Sequence, residues 1–262
     1  MAADMMYTAL AGLNTFNTAL SVVSDNIANA NTTGWKSNTV DFGDLVSGML
    51  PTADGVTTAQ GVGSTVLGIN SDFATGSEVQ TGNWSDLMIQ GNGFFAVQDP
   101  TSGAISYTRD GSFEISSTGN LTDMSGNNVL ETDLKTAIVI KNPASYTSFQ
   151  VDKFGNLTGT TAAGVVTNLG QIAVTTFSNP NGLVREGNND YTPSPAAGAP
   201  TTPAVAGTGQ AGTVISGALE GSNVDLTAQM VNLINYQADY QANSKSIETG
   251  NTLLQTVVNL IR

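Results

Sequence analysis

The side chains able to do chemistry in this 262-residue chain are almost all carboxylates. Asp110 and Glu114 lie four residues apart, and on a strand that even spacing puts both on one face, as a carboxylate pair for general acid–base work requires. Their context, Thr108-Arg109-Asp110-Gly111, reads instead as a turn in which Arg109 pairs locally. Gly91-Asn92-Gly93 has the outline of a phosphate loop, but no helix follows to present its N-terminus to an anion. A glycine turn entering a buried Phe94-Phe95 strand is the better reading. Asp152-Lys153-Phe154-Gly155-Asn156 offers oxygens to calcium, yet too few converge for a calcium loop. The absence of Cys and His removes thiol nucleophiles, histidine bases, disulfide frameworks and most zinc sites. No catalytic residue, cofactor or metal is therefore expected, and the chain reads as a non-enzyme. Tyr236 and Tyr240, four apart on a helix, read as packing residues rather than a stacking platform. Asn31, Asn83, Asn120 and Asn156 each begin an N-x-S/T sequon and read as turn residues.

Eight basic against 21 acidic residues give a net charge of −13. Eight scattered cations cannot neutralise a phosphate backbone, so no nucleic-acid partner is expected. Charged residues make up only 11% of the chain and Ser, Thr, Asn and Gln supply most of its polarity, which suits a neutral, β-leaning surface. No apolar run approaches the roughly 18 residues of a membrane span, so no membrane insertion is expected. The first basic residue is Lys36, which leaves the early segment without the charged start of a cleaved leader.

The elements that position these residues differ between the ends and the middle. Met6, Leu13, Leu20 and Ile27 recur every seven residues, and Ala9, Phe16, Val23 and Ala30 form a second comb three positions on. Two such combs make the narrow apolar seam of a helix that packs on other helices. Asn31-Thr32-Thr33-Gly34 supplies the stop. Near the other end Leu226, Leu233, Tyr240, Ile247, Leu254 and Ile261 keep the same period, with Asp225 or Asn223 placed to cap the start. The companion positions Met230, Gln237, Ser244, Asn251 and Val258 make that seam apolar at its ends and polar in its middle. Each seam residue contributes roughly 1.5–3 kcal/mol only if something covers it. A lone helix covers almost none of it.

Between the helices, short β-rich runs alternate with turn clusters. Phe94–Val97 and Ile105–Thr108 read as a hairpin across Asp99–Gly103, Ala137–Ile140 as a buried strand, and Thr192–Gly212, rich in Pro, Ala, Gly and Thr, as a surface loop. The expected fold class is α+β, with long terminal helices forming an inner coiled-coil layer and a mainly antiparallel β domain inserted between them. The expected domains are residues 1–35 with 222–262 for the helices, 36–70 as an extended connecting segment, and 71–221 for the β-rich outer domain. Two half-polar helices give a monomer little, whereas many copies side by side share an apolar core. The pattern therefore suggests a polymer whose interface comprises Met6, Leu13, Phe16, Leu20, Val23, Ile27, Leu226, Met230, Leu233, Tyr240, Ile247, Leu254, Val258 and Ile261.

Six stretches, in order along nearly the whole chain, carry a resemblance. They begin with Ser24-Asp25-Asn26-Ile27-Ala28-Asn29-Ala30-Asn31-Thr32-Thr33-Gly34-Trp35-Lys36 and Asp86-Leu87-Met88-Ile89-Gln90-Gly91-Asn92-Gly93-Phe94-Phe95-Ala96-Val97. Tyr107-Thr108-Arg109-Asp110-Gly111-Ser112-Phe113 follows, then Gly119-Asn120-Leu121 with Gly126, and Gly182-Leu183 through Gly187-Asn188. The last is Leu219-Glu220-Gly221-Ser222-Asn223-Val224-Asp225-Leu226, continuing through Tyr240-Gln241-Ala242-Asn243-Ser244-Lys245. Together they resemble the axial proteins of the bacterial flagellum, the hook and rod proteins. The sequence departs from them at Trp35, where Phe is more usual. It departs again at Ala238-Asp239, where a basic residue commonly precedes the Tyr, so no inherited salt bridge is assigned on that helix.

The resemblance implies a structural subunit exported through the flagellar type III apparatus without a cleaved signal peptide. Its place would be extracellular, in the flagellar hook or basal body. Its partners would be copies of itself and the adjacent rod, junction or cap proteins. The segment Gly61-Val62-Gly63 through Ser71–Ser77 and Thr81-Gly82-Asn83 looks hook-like, as does the ending Val258–Arg262, and the hook is the reading preferred on similarity. The length also resembles the distal rod protein, which is the alternative. A secreted β-rich adhesin or binding module is a further alternative.

Overall fold

A computed structural model describes residues 2–51 and 57–260. The fold is α+β, a helix at each end and a mainly antiparallel β region between them. The chain separates into two compact units: Met1–Asn29, Asn38–Asp72 and Val224–Arg262 in the first, Ala30–Ser37 and Phe73–Asn223 in the second.

The first unit holds helix α1 (Ala2–Ala28), strands β1 (Asn38–Pro51) and β2 (Thr57–Ser71), and helix α2 (Leu226–Leu260). Helix α1 ends where Asn29 holds the Asp25 carbonyl through both its backbone nitrogen (3.1 Å) and its side-chain amide (2.9 Å). Of the two candidate caps for α2, Asp225 does the work: its Oδ1 accepts from the backbone nitrogens of Thr227 (2.9 Å) and Ala228 (3.1 Å). The helices run antiparallel, with Met6 against Gly250, Gly12 against Asn243, Phe16 against Tyr236 and Asn26 against Gln229. The fully buried stripe of α1 is Ala9, Gly12, Thr15, Ala19, Val23 and Asn26, mostly small residues that allow close approach. At Gly12 even a methyl group would lie 2.9 Å from the Asn243 amide.

The described residues of 36–70, expected as an extended connector, fall mostly in two strands that pair with each other. β1 and β2 form an antiparallel ribbon running from Asn38 opposite Ser71 out to Pro51 opposite Thr57, with three register shifts. The ribbon packs on α1: the Thr15 hydroxyl donates to the Ser64 carbonyl (3.0 Å), Gly63 lies against Ala11, and Phe42 meets both Phe16 and Tyr236 at ring distances near 6 Å. A two-stranded ribbon has too little face of its own to be stable in water, and here α1 supplies the missing surface.

The second unit begins with β3 (Glu78–Gln80), β4 (Leu87–Gln90), β5 (Phe94–Gln98) and β6 (Ile105–Thr108). The short strands β7 (Glu114–Ile115), β8 (Leu121–Thr122) and β9 (Asn128–Val129) follow, then the ribbon β10 (Tyr146–Val151), β11 (Asn156–Thr161) and β12 (Val166–Gln171). The unit ends with β13 (Val174–Thr175), β14 (Leu183–Gly187), β15 (Asp190–Pro193), β16 (Thr213–Ser216) and β17 (Ala218–Glu220). The main sheet has the order β14-β15-β6-β5-β9-β8-β7, with β13 also on β5, while β16 pairs with β4 and β17 with β3.

β5 is central and buried on both faces. Phe95 and Val97 join one core with Leu87, Ile89 and Phe113, while Phe94 and Ala96 join the other with Tyr107, Phe177 and Tyr191. Alternation on a doubly covered strand explains two consecutive phenylalanines. Two sequence expectations need correction. Ala137–Ile140 is not a continuous buried strand: it makes only isolated bridges, burying Ile138 and Ile140 and exposing Val139. Residues 192–212 are less superficial than their composition suggests, because Ala197, Ala204 and Ala206 are fully buried and Val174 donates its amide to the Ala204 carbonyl at 3.0 Å.

Phe95→Ala should cost about 3–5 kcal/mol in urea denaturation, the usual loss for a large core side chain. Val166→Ala, on an exposed edge, should stay within about 0.5 kcal/mol. Equal effects would contradict the placement of β5 at the centre.

Candidate assembly surface

Several signature residues, Gly34, Lys36, Gly91 and Arg109 among them, meet at or beside one buried carboxylate in the second unit. Glu220, at the end of β17, is 0% exposed. Its Oε1 accepts from Lys36 Nζ at 2.5 Å and from the Gly76 backbone nitrogen at 2.8 Å, and its Oε2 accepts from Arg109 Nη1 at 3.2 Å. Its backbone carbonyl takes the Gly34 amide at 2.7 Å. Lys36 also donates to the Ala74 carbonyl (2.7 Å), and Arg109 Nη2 to the Gly91 carbonyl (3.0 Å), with its guanidinium carbon 5.2 Å from the Phe94 ring centre. Burial pulls the Arg109 guanidinium below its ordinary value, against the opposing attraction of Glu220. The expected local pairing of Arg109 is thus replaced by an ion pair across more than a hundred residues of sequence. Glu220 itself carried no role in the sequence reading. The signal was there: one acid closing an otherwise apolar strand, Ala218-Leu219-Glu220.

The first signature stretch threads this unit beside it. Thr33 offers its carbonyl to Asn189 Nδ2 (2.7 Å), the Trp35 amide reaches the Thr32 carbonyl (3.3 Å), and the Arg185 guanidinium lies 4.0 Å above the Trp35 ring. Ser37 donates its amide to Asn223 Oδ1 at 2.7 Å, so this signature asparagine clasps the chain rather than capping α2. Ser222 and Val224 flank it, both half-buried. Gly34 has φ +68, and a Cβ there would lie 2.7 Å from the Asp110 nitrogen. Gly111 packs so closely on the Leu87 carbonyl that no side chain fits, and Gly91 and Gly93 take φ of 109° and 133° at the turn into β5. Within the first unit Asn26 mimics a strand partner for Asn38, donating to its carbonyl and accepting from its nitrogen, both at 2.8 Å.

The acids that suggested chemistry are used locally. Asp110 Oδ1 accepts from the backbone and hydroxyl of Ser112, while Glu114 is exposed on β7, and no described hydrogen bond links the two. Asp152 Oδ1 binds the nitrogens of Phe154 and Asn156 and its Oδ2 the Asn156 amide, which closes the turn and leaves little for a cation. Asp123 closes Asp123–Asn127 identically. Burial, with Asp123 nearby and Glu186 and Asp110 adding to it, pushes the Asp190 carboxyl up to about 7 although Thr108 hydrogen-bonds it.

The terminal helices carry the other expected set. Met6, Leu13, Phe16, Leu20 and Ile27 are half-buried and Val23 is buried, so α1 meets α2 and the ribbon with much of its comb. On α2 Leu233 and Ile247 are half-buried, whereas Leu226, Met230, Tyr240, Leu254 and Val258 are exposed, and Ile261 lies outside the described residues. Further exposed apolar side chains stand off the comb: Val231 and Ile234 near the start, and Leu253, Val257 and Leu260 near the end. Ile234 is 64% exposed, Val258 60% and Leu260 80%. Exposed apolar side chains clustered in this way are uncommon on the surface of a monomer. No helix among the described residues is long and apolar enough to cross a membrane.

Family models match for the flagella basal body rod protein over residues 6–36 and the flagellar hook protein FlgE/F/G D1 domain over residues 88–159. The flagellar basal body rod FlgEFG protein C-terminal model matches residues 215–260. The chain is 36% identical to the flagellar basal-body rod protein FlgG of Bacillus subtilis, with 98% of each chain covered. It is 31% identical to FlgG of Agrobacterium fabrum, over 95% of this chain and 96% of the relative. Identity to the flagellar hook protein FlgE of Escherichia coli is 24%, over 96% and 98% respectively, in an alignment of 407 positions.

Glu220→Gln leaves two buried cations facing a neutral amide and should destabilise the protein by about 3–5 kcal/mol in urea denaturation. Loss of less than about 1 kcal/mol would show that the carboxylate is not holding both cations. Asp190 titrates the other way. A carboxyl raised from 3.8 to about 7 holds its proton better in the folded state, so native stability falls as pH rises between those values. Asp190→Asn should therefore melt about 2–4 °C above the unsubstituted protein near pH 8 and level with it near pH 4. A constant difference at both pH values would refute that origin.

Proposed function

From the premise that the chain belongs to the flagellar hook and basal-body rod family, we propose that it is a rod subunit that polymerises through its terminal helices. The observation that carries this reading is α2: its two ends expose apolar side chains that α1 and the ribbon do not cover, and a polar stretch separates them. In the polymer the helices of neighbouring copies form an inner coiled-coil layer, which buries Leu226, Met230, Leu254 and Val258 with Ile261, and the β-rich unit lies outside. The half-buried members of the expected interface, Met6, Leu13, Phe16, Leu20, Ile27, Leu233 and Ile247, then serve both the chain's own helix pair and the contact between copies. The role is mechanical, the transmission of torque along a tube, rather than enzymatic.

Of the two axial parts, the rod is favoured over the hook. Six rod relatives are 30–36% identical along almost the whole chain without a long gap. The hook relatives are 24–25% identical, in alignments of 407 and 408 positions that exceed this chain's 262 residues. The features that resembled hook, Gly61-Val62-Gly63 through Ser71–Ser77 with Thr81-Gly82-Asn83 and the ending Val258–Arg262, are short, and all but the last lie outside the stretches that the family models match. Neighbouring axial proteins are the further partners, and export through the type III apparatus is the route that this role implies.

Leu254→Asp and Val258→Asp should each abolish sedimentable polymer, because a charge cannot enter a desolvated helix layer unpaired. Both positions are exposed in the single chain, so its melting temperature should shift by less than about 2 °C. Normal polymer yield from both variants would refute the assignment.

A further inference from the structure

The turn Gly91-Asn92-Gly93 connects β4 to the central β5, and the assembly reading does not use its side chain. Asn92 is exposed, and its amide makes no hydrogen bond among the described residues. The nitrogen of Gly93, itself a buried residue, donates no hydrogen bond among the described residues either. The second Asn-Gly pair of the chain is an internal control. Asn181 is also exposed, but Gly182 sits in a 3-10 turn and donates its nitrogen to the Asn179 carbonyl at 3.1 Å.

We propose that Asn92 is a site of spontaneous deamidation. The Gly93 backbone nitrogen attacks the Asn92 side-chain carbonyl carbon, and glycine, lacking a Cβ, leaves that approach open. The new N–C bond closes a five-membered imide, the C–Nδ2 bond breaks, and the amide proton leaves with the nitrogen as ammonia. Water then opens the imide at either carbonyl, giving aspartate or the isoaspartyl linkage. No enzyme or oxidant is required. The Asn181 pair lacks this freedom because its attacking nitrogen is already held.

The position gives the change a consequence. The Asn92 carbonyl accepts the Gly212 nitrogen at 2.6 Å, and the preceding Gly91 carbonyl accepts Arg109 Nη2 at 3.0 Å. An isoaspartyl linkage adds one carbon to the backbone between these anchors and the start of β5. Asn92 and Arg109 also line one cleft of about 200 Å³ with Phe73, Phe94 and Phe177. Arg109 Nε is buried without a hydrogen-bond partner, so the product carboxylate would face a cleft that a cation with a donor to spare also lines.

The test follows both sites in the full chain, folded and in concentrated urea, at mildly alkaline pH. Trypsin digestion after denaturation separates them, since Lys36 and Arg109 bracket Asn92 while Lys153 and Arg185 bracket Asn181. Mass spectrometry then reads the conversion of amide to acid. In the folded protein Asn92 should convert at nearly its urea rate, and Asn181 roughly threefold to tenfold slower than in urea, the worth of one amide hydrogen bond. Protection of Asn92 equal to or greater than that of Asn181 overturns the proposal. Asn92→Gln should remove the mass gain from its peptide, because a longer side chain closes its imide ring far more slowly. Persistence of the gain would place the reaction at another asparagine of that peptide and overturn the assignment equally.

Discussion

One carboxylate shared by two cations, all three without solvent, is the constraint on which the second unit depends. Burying Glu220, Lys36 and Arg109 costs several kcal/mol per ion in lost hydration, and their mutual attraction offsets this only because every charge also meets backbone groups. Hydrophobic residues of equal volume would serve stability as well or better. What they would not supply is direction. The triad joins three segments far apart in sequence, residues 34–36, 109 and 220, and each distance tolerates little slippage. If 34–36 moved by one residue, Lys36 would leave the carboxylate and Gly34 would lose both its positive φ and its bond to the Glu220 carbonyl. The ion cluster is best understood as a device that permits one register only.

The apolar core reinforces that register from the other side. β5 puts Phe94 and Phe95 on opposite faces, so a shift by a single residue would exchange the two cores. Arg109 follows directly on β6, the neighbour of β5, and lies over Phe94 while holding Glu220. Core packing and charge pairing therefore share a side chain. A change to either is felt by both, and so the glycines at 34, 91, 93 and 111 sit where backbone must pass close to backbone.

Much of this was legible in the sequence, and the failures have physical causes. Seven-residue combs revealed both helices because covering a helix face imposes that period whatever the partner is. They could not say who covers it. On α1 the best-buried stripe is Ala9, Gly12, Thr15, Ala19, Val23 and Asn26, which small residues disguise, since hydrophobic counting rewards size and close helix contact rewards its absence. The ribbon 38–71 was hidden because Gly61, Gly63 and Gly68 interrupt any alternation and its covering surface is a helix distant in sequence. The buried alanines of 192–212 read as loop for the same reason as the α1 stripe. The signature residues were recognised as a set, but Glu220, which gives the set its geometry, declares itself only when three segments meet.

The exposed surface of α2 must also be reconciled with the charge. Apart from Lys245, the charged residues described in the first unit are acids: Asp4, Asp25, Asp41, Asp44, Asp72, Asp225, Asp239 and Glu248. In the proposed polymer, bringing copies together would concentrate that charge, and each new neighbour would be repelled through solvent within a Debye length of about 8–10 Å. Opposing it, Leu253, Leu254, Val257, Val258 and Leu260 at one end of α2, already partly buried, would contribute roughly 4–8 kcal/mol if their remaining exposed area were covered. The distribution along α2 makes the balance workable. Its apolar ends would carry the attraction, while the middle holds only two carboxylates, Asp239 and Glu248, among Gln, Asn, Ser and Tyr groups that can be desolvated against hydrogen-bonding partners at far lower cost. A fully apolar helix would bind harder but would find wrong partners, including itself, before reaching its place. A helix sticky only at two separated points must align both at once, and in the proposed polymer that requirement would select one axial position for each arriving copy.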